Sequence, residues 1–165
     1  MNKTLIVTLL VLLSALVLQT SLAQGPAAPA SGFEKKNHSH NPWAKGRFSE
    51  SVTVTGPAKM IYLAGIGPED EKTGAIMHKD NFLEQCRLSY RKVKDILKDH
   101  GATMNDIVRA TVFVTDIRVR DDYRKCKDEA YAGTTAQPAG TFVNVTALAW
   151  PHMMFEVEVT AALPQ

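Results

Sequence analysis

The stretch NFLEQCRLSYRKVKDILKDHGATMNDIVRATVFVTD, Asn81 to Asp116, holds a helix, a turn and a strand in succession, and its reading decides the fold. Phe82, Cys86, Tyr90, Val93, Ile96 and Leu97 recur at helical spacing as one apolar stripe, with Arg87, Arg91, Asp95 and Lys98 outside it. Asn81 stands where a side-chain oxygen caps a first turn. Glu84 follows three residues later, as in a capping box, and Gly101 closes the last turn. Thr103 and Asp106 then bracket a short turn that launches a strand from Ile107 to Thr115. That strand is apolar on both alternations, the pattern of a strand covered on both faces.

Upstream, Phe48, Val52 and Val54 alternate with Ser51 and Thr53, which predicts a half-buried strand over 47–54 followed by a turn at Gly56-Pro57. Met60 to Ile66 reads as a second strand covered on both faces, and Glu69-Asp70-Glu71 as a solvated turn. Downstream, a second helix is predicted from Asp121 to Ala132, stopped by Gly133. Two alternating strands, Thr141–Ala147 and Met153–Ala161, are then joined through 148–152. The order β-β-α-β-α-β-β makes an α+β domain with both helices on one face of a mixed sheet. The other face is left uncovered yet carries Ile, Val, Phe and Met, so a second subunit is expected there. Cys86 and Cys126 fall on the two helices. Cys86, on the apolar stripe, reads most simply as a small core residue; a disulfide needs the helices to bring the two Cα atoms within ~7 Å.

The chain begins with one lysine, Lys3, then an uncharged apolar run from Thr4 to Leu18, then Ser21-Leu22-Ala23. This is a signal-peptide pattern, so residues 1–23 are expected to be removed after Ala23 and the protein to be periplasmic or secreted, with no membrane attachment afterwards. Residues 24–41, rich in small residues with two prolines, are expected to form a disordered linker, leaving 42–165 as the single domain. His38 and His40 lie in that linker, too few for an enclosed metal site, and no metal or cofactor is expected. The chain's formal net charge is +2 and basic runs are short, so a nucleic-acid partner is not expected either.

DIVRATVFVTD (106–116), MIYLAGIGP (60–68) and FEVEVTA (155–161), in that order and spacing, resemble the Rid (YjgF-type) family of enamine/imine deaminases over nearly all of the domain. The resemblance implies a chorismate-mutase-like fold and a homotrimer with small-molecule pockets at its subunit interfaces. In deaminating members an arginine two residues after a proline pairs bidentately with the substrate carboxylate. The matching stretch here is Pro138-Ala139-Gly140-Thr141, and Gly140 takes the arginine's place. A glutamate that positions the attacking water is matched by Glu156. A pocket tyrosine is matched by Phe48 and a pocket serine by Ala64, while Ile66 and Phe142 complete an apolar lining. Arg124 stands where deaminases usually have asparagine, so a guanidinium could enter from another side. Glu156 is the expected general acid/base, its pKa raised by burial. The first reading is thus a small-molecule-binding trimer with, at most, activity on an imine lacking the usual carboxylate. The second is an active deaminase whose anchor has moved to Arg124 or Arg47, and the third a structural or protein-binding trimer.

Overall fold

A computed structural model of the chain describes residues 32–165. The signal-peptide segment and residues 24–31 of the expected linker lie outside the described residues. Within them, the linker reading fails at its C-terminal end: Glu34–His38 form strand β1, paired antiparallel with β2 (Ser51–Thr55) as a two-stranded ribbon. Low hydrophobicity concealed this strand. What holds it is polar, since Asn37 donates to Ser49 Oγ at 2.9 Å and to the Gln137 carbonyl at 3.0 Å, and Lys35 Nζ donates to the Asn105 carbonyl.

The main sheet contains β3 (Ala58–Tyr62), β4 (Ile107–Val114), β5 (Ala139–Asn144) and β6 (Phe155–Pro164), in the order β3-β6-β4-β5. β4 and β5 run parallel and the other pairs antiparallel, so the sheet is mixed, as expected. β5 and β6 do not form the predicted hairpin; they lie on opposite sides of β4. The reason is burial. On β6 Phe155, Val157, Val159 and Ala161 are all buried, as are Ile107, Ala110, Val112 and Val114 on β4, and these two strands share the centre of the sheet. β3 is shorter than the predicted 60–66 strand. Beyond Tyr62, the Leu63 amide still donates to the Val159 carbonyl and Ile66 bridges to Val157, while the Glu156 side chain occupies the space that a Cβ at Gly65 would need.

Both helices, α1 (Phe82–Asp99) and α2 (Arg120–Ala130), are present. Asn81 caps α1 by accepting from the Glu84 amide at 3.2 Å. The second half of the capping box is absent, because Glu84 pairs with Arg87 instead. The stripe of α1 packs Phe82, Tyr90, Val93 and Leu97 on β4 and β6. Buried Gln85 ties the loop before β6 to α1, donating to the His152 carbonyl and accepting from the Met154 amide, both at 2.8 Å.

Cys86 and Cys126 are not independent core residues. They form a disulfide between α1 and α2, with Cα atoms 6.3 Å apart and both residues fully buried. Arg87 adds a two-pronged contact to Glu129 on α2, both bonds at 2.7 Å. α2 is short and polar, and these two links give it a fixed seat on α1.

Candidate functional site

A cavity of about 850 Å³ opens on the helix-bearing side of the sheet, between the start of β5, the inner face of α2 and the loop 43–48. The loop is positioned by hydrogen bonds as well as by the fully buried Ala44. Lys127 Nζ on α2 donates to the Arg47 carbonyl at 2.6 Å, and the Ser49 amide donates to the Pro138 carbonyl at 3.1 Å beside β5. Trp43, largely exposed, stands edge-on to Phe48 with centroids 5.5 Å apart.

Gly140 and Phe142 face this cavity because they are in register with buried Ala110 and Val112 of β4. The Phe142 ring stacks on Tyr123 of α2, centroids 4.6 Å apart and planes 25° from parallel. Gly140 has no left-handed backbone, and a Cβ placed there would meet only the Ala110 carbonyl oxygen, at 3.3 Å. The glycine is therefore not a conformational requirement. It leaves this β5 position without a side chain, at the place where the resemblance implies a guanidinium, and the one close neighbour of an added Cβ is a strand carbonyl that would have to shift slightly.

Cations remain around the cavity, but on α2 and the loop. Arg47, Arg120, Arg124 and Lys127 line it together with two carboxylates, Asp121 and Asp128. Arg124 pairs with Asp121 at 3.3 Å on an exposed surface. Among the described residues Arg47 and Arg120 have no carboxylate within ion-pair distance. Burial pushes the Lys127 ammonium pKa down, with Asp128 opposing and Arg47 adding to the shift.

Glu156 lies elsewhere. It is in register with Phe113 on the sheet face away from the helices, which it shares with Glu158, Met60 and Tyr62. Its side chain rests over Gly65. Its pKa is raised, chiefly by burial and further by the charges of Glu69 and Glu158. The direction and its first cause, burial, match expectation, but the burial is supplied by the segment around Gly65 rather than by the cavity that Phe48 and Phe142 line. The backbone near Gly65 is held by Lys92 of α1, whose Nζ donates to the carbonyls of Gly67 at 2.9 Å and Glu69 at 3.0 Å. Ala64 is exposed next to Gly65, while Ile66 is half-buried against the core. Within one protomer, then, Phe48, Arg124, Gly140 and Phe142 meet at the cavity, whereas Ala64, Ile66 and Glu156 do not reach it.

Sequence reasoning missed Arg120, Tyr123, Lys127 and Tyr131 as cavity residues. A signal was present: Arg120, Arg124, Lys127 and Tyr131 recur at spacings of four, three and four, one stripe of α2. It reads as a solvated charged face unless the neighbouring loop is known.

The chain matches the family model described as Endoribonuclease L-PSP over residues 38–163. It is similar to a RutC family protein of Pyrococcus abyssi, 31% identical over 118 residues that make up 70% of this chain and 86% of that one. A 2-iminobutanoate/2-iminopropanoate deaminase of Salmonella typhimurium is 36% identical over 76 residues, 46% of this chain and 56% of the relative. Among solved structures, a Rid family protein of Yersinia pestis superposes with a TM-score of 0.67 at 25% identity, covering 78% of this chain and 98% of that one. With its matched model, its relatives and its mixed sheet under two helices, the chain belongs to the Rid (YjgF-type) family.

Proposed function

We propose that the protein is an exported, small-molecule-binding Rid trimer that does not deaminate short 2-imino acids. The observation that carries this reading is Gly140: the β5 position facing the cavity bears no cation, and among the described residues the cavity beside it is unfilled. A carboxylate arriving there would lack the bidentate partner that fixes its plane. The buried Cys86–Cys126 bond supports export, since disulfides persist in oxidising compartments.

The division of the site supports the trimer. Glu156 and Ala64 stand on the open sheet face, and Gly140 and Phe142 on the cavity side. A neighbour that covers the open face brings its own cavity against Glu156, so that each site is completed by two subunits. Tyr62 (75% exposed) and Met60 (39%) supply apolar surface for that contact.

The test is release of keto acid and ammonia from 2-iminopropanoate generated in situ, with Glu156→Ala as control. No turnover above the control is expected. A second reading has its own observation: Arg47, Arg120 and Arg124 border the same cavity and offer a relocated anchor. Turnover that is lost in Arg124→Ala would establish that reading and overturn the first.

A further inference from the structure

Two residues lining the cavity carry polar groups that the fold does not satisfy. Tyr90 of α1 and Tyr131, just after α2, are 2% and 4% exposed, and their rings meet edge to face with centroids 5.9 Å apart. Among the described residues neither buried hydroxyl makes a hydrogen bond of good geometry, although the Tyr123 phenol lies close to that of Tyr90. An unpaired buried hydroxyl is costly, and phenylalanine would fill the same space without that cost. Two such groups on the wall of one cavity point to an acceptor that arrives with a ligand. Burial holds both phenols well above their usual range, so both remain protonated and able to donate.

Three other features narrow the chemistry of that ligand. The volume, about 850 Å³, far exceeds what a short-chain imino acid fills and lies in the range of sites for larger ligands. The Tyr123–Phe142 stack offers an aromatic slab, which favours a planar ring. Arg47 and Arg120, without carboxylate partners among the described residues, favour an anion at the rim. Gly140 connects these features, because a long side chain on β5 would enter the space between the slab and the strand.

We propose that the cavity binds a planar aromatic carboxylate. Its ring lies along Tyr123 and Phe142, its carboxylate meets the rim guanidinium groups of Arg47 and Arg120, and an oxygen at its far end accepts from Tyr90 and Tyr131. The proposal rests on the reading of this cavity as a ligand site and names the class of ligand it takes.

The test is calorimetric titration of the full, oxidised exported protein with 4-hydroxyphenylacetate, phenylacetate, acetate and pyruvate. The hydroxylated aromatic acid is expected to bind about tenfold tighter than phenylacetate, the size of one to two neutral hydrogen bonds. Acetate should bind far more weakly than either. Tyr131→Phe and Tyr90→Phe should each narrow the preference for the hydroxyl, and the double change should erase it. Gly140→Leu should remove aromatic binding altogether. In the absence of ligand, Tyr131→Phe should leave the melting temperature unchanged or raised; a clear fall would show that the hydroxyl is already bonded and would overturn the proposal. Pyruvate binding as tightly as the aromatic acids would overturn the aromatic class while leaving a small-molecule site in place. No binding and no thermal shift with any acid would overturn both.

Discussion

The two faces of the main sheet are built by different means. On the helix side, α1 lays an apolar stripe on β4 and β6, and a disulfide and an arginine fork fix α2 beside it, so the cavity wall is set by covalent and buried contacts. On the open side, Met60, Tyr62, Glu156 and Glu158 share the face opposite the helices, with only the segment around Gly65 against Glu156. A single protomer can therefore hold the shape of its cavity but not the surroundings of its glutamate. The cavity is formed within one chain, and any chemistry that would use Glu156 at that cavity requires a neighbour.

The sharpest way to break the comparison is to loosen the helix side alone. The Cys86–Cys126 bond spans a sequence separation of 40 residues, and closing such a loop in the unfolded chain contributes about 4 kcal/mol by the chain-entropy model. The double change Cys86→Ala/Cys126→Ala should lower stability by an amount of that order in denaturant titration. Ligand binding should weaken with it, because α2 carries Tyr123 and the cavity cations. Loss of less than ~1 kcal/mol would mean that packing alone seats α2. The open face should respond to a different change. Phe113→Asp places a charge beside Glu156, and if a neighbour covers this face as proposed, light scattering should show the mass falling to that of a protomer.

Next in size is the effect of restoring the missing cation. Gly140→Arg brings a new Cβ to 3.3 Å from the Ala110 carbonyl oxygen, so β4 must give by a few tenths of an ångström to admit it. A guanidinium–carboxylate pair there is worth roughly 1.5 to 3 kcal/mol, or one to two decades in rate if it acts fully in the transition state. Weak deaminase activity is expected only when Phe48→Tyr and Ala64→Ser are added. If Glu156 acts across subunits, that activity should vanish in any variant that dissociates the trimer.

Much of the fold was legible because its signals are local. The α1 stripe and its Asn81 cap are read from neighbouring residues, as is the turn bracketed by Thr103 and Asp106. What was not legible depended on pairing at a distance. β1 is polar and is identified only by its partners Ser49, Gln137 and β2. The place of β6 between β3 and β4 follows from the combined burial of two strands, which no window of sequence contains. The disulfide depended on a helix-to-helix distance. For the site, the motif around Gly140 was readable, but the gathering of Tyr90, Tyr123 and Tyr131 from two helices was not.

The smallest expected effect concerns Glu156, and it reports on the open face directly. Its pKa in the folded chain is raised above the ordinary carboxylate value by burial, Glu69 and Glu158. A carboxyl group whose folded pKa exceeds its unfolded one supports the folded state while protonated, and that support is lost as pH rises through the folded pKa. At neutral pH the ionised Glu156 therefore costs stability, and Glu156→Gln should raise the melting temperature there. As pH falls towards the usual carboxylate range of about 4.3 the two proteins should converge, because both then carry a neutral side chain. Solvent screens a partly exposed group, so the gain in an isolated protomer should stay below ~1 kcal/mol. A covering subunit, if present as proposed, would deepen the burial and enlarge the gain. Melting curves between pH 4 and 8, taken on the assembled protein and on the Phe113→Asp protomer, separate the two contributions. An equal gain in both would mean that Glu156 faces no neighbour, and the two-subunit site would fall.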